Sequence, residues 1–327
     1  MPRLDIFAAA LRALDEGRGV AIATVIGAAG STPRHLGARM AVADDGTQWG
    51  TIGGGKIEQV VVAAAKDVAA GAEPRVVRQH LVRDLAMCCG GSMEIVLTPA
   101  ATSREVLARC ARTAGVLLTP LDGEPLVLRD ARDGDPPAHK PRVTGGALVE
   151  RIGIAERAVI FGLGHVARQL GPLLAQLGFE VVICDDGDTG STERPPWSSK
   201  LVESFDPAEI ERELGGFSAN DRVLIVTRDH AIDQQLLEKL ISRDDLGYLG
   251  MIGSRGKVGR FRKRLEAKGL FDEVRWSRLR APIGLDIGAE TPEEIAVAIA
   301  AELVALRRRG AAAAGDWRPV RAPSEDD

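Results

Sequence analysis

Apolar positions at Leu4, Ile6, Phe7, Leu11 and Leu14 recur at roughly helical spacing and predict a helix over residues 4–16, ended by Gly17 and Gly19. A β-branched run over residues 20–26 predicts a buried strand, and residues 39–43 and 49–52 predict two more, joined by the hairpin turn Asp44-Asp45-Gly46. Gly53-Gly54-Gly55 then opens an Ala/Val-rich helix over residues 56–70, and strands follow over 76–81 and 93–97. These elements predict a compact α+β domain over residues 1–112. The pattern weakens over residues 113–156. Within that stretch, residues 130–141 are rich in Asp, Gly and Pro, and the segment reads as a linker.

Regular alternation resumes at Arg157. Strands are predicted over 159–161, 180–184, 222–227 and 248–252, with helices over 166–177 and 234–242. Strands alternating with helices argue for a parallel sheet with right-handed crossovers, and so for a Rossmann-like domain over residues 157–310. Its last helix, residues 292–309, takes Thr291 as N-cap and Pro292 in its first turn. Residues 311–327 are rich in Ala, Pro and acids and predict a disordered tail. The fold class expected is α/β: an N-terminal α+β domain followed by a Rossmann-like domain.

Composition narrows the function classes. With 45% hydrophobic and 27% charged residues among 327, the chain matches an ordinary globular protein of two domains. A formal net charge of −4 argues against a nucleic-acid partner, which calls for a basic surface. Four cysteines, two of them adjacent, make neither a disulfide framework nor a spaced zinc box, and fit a reducing compartment. No charged-then-apolar leader opens the sequence. The apolar stretch over residues 295–306 is interrupted by Glu302 and is too short to span a bilayer. A cytoplasmic protein without a membrane partner is expected.

The sharpest motif is Gly162-Leu163-Gly164-His165-Val166-Ala167, between a predicted strand and a predicted helix. It is a dinucleotide-binding turn: Gly162 permits the tight turn, Gly164 lets a phosphate approach, and Ala167 allows close helix packing. Asp185 or Asp186 ends the next strand, where a ribose partner would sit. NAD(P) is one ligand for such a turn, but the same geometry serves other phosphates. Gly53-Gly54-Gly55 can form an anion-binding nest or simply permit a tight connection. Glu58, in the first helical turn, complements the helix dipole.

Cys88-Cys89-Gly90-Gly91 offers either soft thiolate ligands or two buried, inert thiols, whereas Cys110 and Cys184 read as core. His165 lies inside the Gly162 turn and His230 follows a strand, so each can contact a ligand or merely open a helix. Ser254, Arg255 and Lys257 bring charge to the same sheet edge, as an anion contact or as a solvated face. No acid–base pair stands beside the Gly162 turn at a spacing suited to proton removal, so no catalytic residue is assigned and no intrinsic turnover is expected.

Taken together, several segments resemble the XdhC/CoxI family, accessory proteins for molybdenum hydroxylases such as xanthine dehydrogenase. In the first domain they are Gly30-Ser31-Thr32-Pro33-Arg34, Gly37 with Met40, Gly50 to Gly55 with Glu58, and the double cysteine. In the second they are Gly162 to Val166, Thr227 to Asp233, Gly250 to Arg255 with Lys257, Pro282 to Gly288, and Glu293 to Ala296. The resemblance implies a homo-oligomeric chaperone that binds molybdenum cofactor (molybdopterin) and supports its sulfuration by a cysteine desulfurase. Such a protein then inserts the cofactor into xanthine dehydrogenase or a related hydroxylase, in purine catabolism. It further implies that Cys89, with Cys88 beside it, meets the molybdenum or sulfur end, and that both glycine turns are phosphate cradles. The sequence departs from the family at Arg228, often a His, and at Gly187, often an Arg. An NAD(P)-dependent oxidoreductase is the second reading, and a purely structural binding module the third.

Overall fold

The computed structural model describes residues 6–87, 90–136, 140–153, 156–187 and 193–309. The chain forms two compact units, residues 3–154 and 155–327.

The first unit contains α1 (Ile6–Asp15), β1 (Val20–Ala29), β2 (Arg39–Ala43), β3 (Gln48–Gly50), α2 (Gly55–Ala69), β4 (Arg75–His80) and β5 (Ser92–Pro99). These strands make an antiparallel sheet in the order β3-β2-β1-β5-β4. Period-two alternation along β1 sends Ala21, Ala23 and Val25 toward Ile57, Val61 and Ala65 of α2. Val20 and Ile22 pack on the opposite face with Ala10 and Ala13 of α1. Each fully buried Val or Ile here contributes about 1.5–3 kcal/mol.

The expected linker is a correction. Residues 113–156 do not run free between domains. After α3 (Arg104–Cys110) come β6 (Gly115–Pro120), β7 (Val127–Arg129), β8 (Arg142–Thr144) and β9 (Ala147–Ile152), a four-stranded antiparallel sheet in the order β7-β6-β9-β8. Its central pair matches Gly115 with Ile152 and Pro120 with Ala147. The Asp/Gly/Pro-rich stretch is only the connection between β7 and β8. Arg39 of the first sheet is buried, and its guanidinium donates to Thr119 of β6 (3.1 Å) and to Glu150 of β9. The segment is therefore tied into the first unit.

The second unit contains β10 (Arg157–Phe161), α4 (His165–Gln176), β11 (Glu180–Cys184), β12 (Lys200–Val202), α5 (Pro207–Leu214), β13 (Asp221–Ile225) and α6 (His230–Leu240). It continues with β14 (Tyr248–Met251), α7 (Arg255–Ala267), α8 (Glu273–Arg278), β15 (Leu279–Arg280) and α9 (Pro292–Arg309). All six strands are parallel, in the order β12-β11-β10-β13-β14-β15. The second unit is Rossmann-like, as expected. Helices cover both faces, so the central strands are apolar on both sides. Val159, Phe161, Val223 and Ile225 pack with Leu236 of α6 and Phe261 of α7. Ala158, Ile160 and Leu224 pack with Leu170 of α4 and Ile299 of α9. At the far end of α9, Arg307 pairs with buried Glu156 and lies 4.0 Å from the centre of the Phe179 ring.

Candidate functional site

Strand order reverses between β10 and β13, and α/β sheets place ligands outside the carboxyl ends of the strands at such a point. The Gly162 turn leaves β10 there. Gly162 has φ +105°, and a Cβ on it would stand 2.8 Å from the Val226 carbonyl oxygen and 2.9 Å from Thr227 Cα. Only glycine lets the two switch-point loops come this close. Gly164 is different: φ is −74°, and a Cβ would meet nothing within 4 Å.

The remaining candidates from the second domain lie along this edge in distinct roles. Asp185 is buried, and its carboxylate accepts from Leu163 N–H (2.7 Å) and Gly187 N–H (3.0 Å). It fixes the Gly162 turn from beneath rather than standing open to a ribose. Its neighbour Asp186 pairs with Arg228 through two contacts of 3.2 Å. His165 and His230 are both exposed, at the first residues of α4 and α6. Ser254 caps α7 by accepting from Lys257 N–H at 3.3 Å. Lys257 itself is buried beneath the edge, where its ammonium donates to Asp233 and to the Ile252 carbonyl at 2.9 Å. Thr227 donates to the other Asp233 oxygen at 2.6 Å. Lys257 thus ties loop to loop and is not presented to an anion. Cys184 is buried, and burial together with Asp185 pushes its thiol well above the ordinary range, so it is unreactive.

Within the second unit, helix starts separate one position from the rest. Side chains cap α5 (Asp206), α6 (Asp229), α7 (Ser254) and α8 (Asp272). At α9, Thr291 and Glu294 exchange capping bonds, Glu294 N–H to the Thr291 hydroxyl (3.3 Å) and Thr291 N–H to the Glu294 carboxylate (3.1 Å). The N-cap of α4 is Gly164, which brings no side chain, and no acid lies in the first turn. The first N–H groups of a helix lack intrahelical acceptors, and the dipole makes that end positive. At α4 neither is met by a side-chain cap or by an acid in the first turn.

A cavity of about 480 Å³ opens farther along the edge, between the connections that follow β14 and β15. Ile252, Ile283, Leu285 and Ile295 supply apolar wall; Ser254, Arg255 and Asp286 supply polar groups. Arg255 and Asp286 approach to 3.5 Å. The loop beneath is held firmly: Ile283 N–H donates to Met251 O (3.0 Å) and Leu285 N–H to Ala298 O (3.2 Å). Buried Glu302 accepts from Gly284 N–H (2.7 Å) and from the Tyr248 hydroxyl (2.8 Å). The sequence alone does not single out Asp286 and Glu302 as functional. The glycines flanking Leu285-Asp286-Ile287 are the available signal, since they mark a shaped loop rather than a strand.

In the first unit, pairing of Ala29 and His80 with Ser92, and of Met40 with Gly50, places three connections at one end of the sheet. They are the 30–38 loop, the 51–54 turn and, of the connection between β4 and β5, residues 81–87 and 90–91. A Cβ on Gly53 would stand 2.7 Å from Pro33, and one on Gly91 would stand 2.6 Å from Ser31 O, so the three loops are closely packed. Cys88 and Cys89 lie outside the described residues. Their neighbour Met87 borders Gly55, where a Cβ would stand 3.2 Å from Met87 Cε.

The Gly53–Gly55 turn differs from the Gly162 turn. The anion it favours is already there. Glu58 turns back from α2, and one of its oxygens accepts from the Thr51 hydroxyl (2.6 Å), Gly54 N–H (3.0 Å) and Ile52 N–H (3.1 Å). Burial raises the Glu58 carboxyl, but these bonds from Thr51, Gly54 and Ile52, helped by Gly53, outweigh it and hold it below the ordinary carboxylate value. An exogenous phosphate would have to displace that carboxylate.

Fold and site together define a two-unit α/β protein, an antiparallel first unit followed by a Rossmann-like unit whose Gly162 turn leads into a helix without a side-chain cap. Residues 158–303 match the XdhC Rossmann domain, and residues 13–80 match the XdhC and CoxI family. The chain belongs to the XdhC and CoxI family. It is 29% identical over 311 residues to YqeB, an uncharacterized protein of Escherichia coli (strain K12), covering 93% of this chain and 46% of that protein. A protein of Bacillus subtilis (strain 168) described as a probable component of xanthine dehydrogenase is 32% identical over 167 residues, 51% of this chain and 47% of that one. The alignments thus span about half the length of these two relatives. PaoD of Escherichia coli (strain K12), a molybdenum cofactor insertion chaperone, is 24% identical over 91% of this chain and 86% of its own. Among solved structures, a xanthine dehydrogenase of Bacillus halodurans superposes with a TM-score of 0.76 at 25% identity, covering 99% of this chain and 98% of that one.

Proposed function

We infer that this protein binds molybdenum cofactor as cargo and passes it to a molybdenum hydroxylase of the xanthine dehydrogenase type. The observation that carries this reading is the uncapped, sterically open start of α4 at the switch point of the second unit. The cofactor has a phosphate, and N–H donors at a positive helix end suit it. Length-wise similarity to PaoD supports the cargo, and similarity to the Bacillus proteins supports the client. A cysteine desulfurase supplies the sulfur that the client requires, and Cys89 contacts the metal–sulfur end because thiolates are soft ligands.

The oxidoreductase reading draws less support. Asp185 is committed to backbone N–H groups, and Asp186 to Arg228. Purification of the full chain from a cofactor-producing host, followed by metal analysis and assay for fluorescent oxidised pterin, tests the proposal. Molybdenum and pterin should co-elute with the protein. Recovery of a nicotinamide dinucleotide instead, with substrate-dependent hydride transfer, would overturn it.

A further inference from the structure

We propose that the cavity beside Ser254 and Asp286 receives a flat heterocycle bearing a 2-amino-4-oxo pyrimidine edge, with the Asp286 carboxylate as its polar partner. This deepens the cargo reading and rests on it, since a pterin carries that edge; so does guanine, the base of a nucleotide-extended form.

Size, position and chemistry converge. The cavity, about 480 Å³, falls within the range of small-molecule sites, about 300–1,000 Å³. It lies two strand spacings beyond the switch point, about 10 Å along the sheet edge. A ring joined by a short arm to a phosphate at α4 reaches that far. Its walls are aliphatic, suited to the face of a ring. Ile287 is 56% exposed at the same cavity, an apolar surface that a bound ring would cover.

Asp286 selects the edge. An ionised carboxylate only accepts hydrogen bonds, so its partner must present donors. The ring N–H and the adjacent 2-amino group are two parallel donors, matching a carboxylate as a guanidinium does. Arg255 does not exhaust Asp286: it approaches no nearer than 3.5 Å and is 72% exposed, whereas a carboxylate offers about four lone-pair sites. A ring with oxygen in place of the 2-amino group would turn an acceptor toward the carboxylate and be repelled. Because Leu285 N–H and Gly284 N–H are anchored on α9, the loop holds Asp286 in place before a ligand arrives.

The test uses the full chain and two matched fluorescent rings, pterin and its 2,4-dioxo analogue lumazine, with GMP and AMP as competitors. Wild type should bind pterin at least about tenfold more tightly than lumazine. GMP should compete and AMP should not. Asp286→Asn, which replaces one acceptor by a donor, should lose or reverse the pterin preference. A stronger effect of GMP than of pterin assigns the ring to a nucleotide base, and the opposite assigns it to the pterin. Equal binding of pterin and lumazine by wild type overturns the proposal without relying on any variant. Equal weakening of both rings by Asp286→Asn overturns it as well. Molybdenum cofactor retained equally by wild type and Asp286→Asn removes the role of Asp286 and leaves the cargo reading standing. Clear pterin discrimination in a chain that retains no cofactor does the reverse.

Discussion

Two glycine turns in this protein lead from a strand into a helix, one before α2 and one before α4, and they end in opposite electrostatic states. In each, the N-cap is a glycine, Gly54 or Gly164. Four residues later stands Glu58 in the first case and Arg168 in the second. Glu58 folds back and fills the first turn with its own carboxylate. Arg168 is exposed, and α4 has no acid in its first turn, so the second turn keeps its positive end open. A glycine-rich turn is therefore left open or locked by a carboxylate of its own according to one side chain a helical turn away. Glycine spacing alone does not distinguish them.

The largest expected effect separates the glycines within the second turn. Gly162→Val forces a β-branched residue to φ +105° and drives its Cβ into Val226 and Thr227. Loss of about 3 kcal/mol or more is expected in urea unfolding. A loss under about 1 kcal/mol would show that the two loops can part. Next comes the lock. Glu58→Ala leaves the N–H groups of Ile52 and Gly54 without their acceptor, at a cost of about 1–2 kcal/mol. Added sulfate should restore part of this in the variant but not in wild type, because an anion that binds the native state stabilises it. Failure of sulfate to act would mean that the emptied turn is no receptor.

Gly164→Asp carries the lock into the second unit. The new carboxylate should cap α4 and leave stability unchanged or higher by a few tenths of a kcal/mol. Cargo and phosphate binding should fall about tenfold, measured by equilibrium titration. Unchanged binding would show that the start of α4 is not the phosphate site. The smallest effect is a pH dependence. Glu58 is held below its ordinary carboxyl value of 4.5, so its folded pKa is the lower one. Its contribution is full at neutral pH and is lost as pH falls below 4.5 through the depressed value. The stability gap between wild type and Glu58→Gln should accordingly shrink across that acid range. A gap constant with pH would mean that charge is not what the turn recognises.

Much of the architecture was legible because burial on both faces leaves a plain record. Strands β2 and β11 and helix α9 fall where the apolar pattern puts them. The sheet over Gly115–Ile152 was missed because its central partners, β6 and β9, lie either side of a polar stretch, and their pairing is non-local. Helix α7 was missed for a different reason: its buried positions are few, Lys257, Phe261 and Leu265, and one of them is a lysine. At the site, the Gly162 turn was plain. The duty of Asp185 was not, since a ribose partner and a backbone anchor occupy the same place at the end of a strand. The inward turn of Glu58 depends on Thr51, seven residues before it, and no spacing rule announces that bond. Glu302, an interruption of an apolar stretch in the sequence, is a buried anchor for Tyr248, the chain's one tyrosine.

That anchor has a mechanical consequence. Helix α9 is pinned in its middle by Glu302 and near its end by Arg307, which grips Glu156 just before β10. A rod fixed at two points can neither slide nor pivot without breaking one of them. The cavity wall formed by Ile295 and Ala298 therefore moves only with the whole strut. Arg255 and Ile287 line the same cavity with exposed side chains, so the freedom left at its rim is theirs.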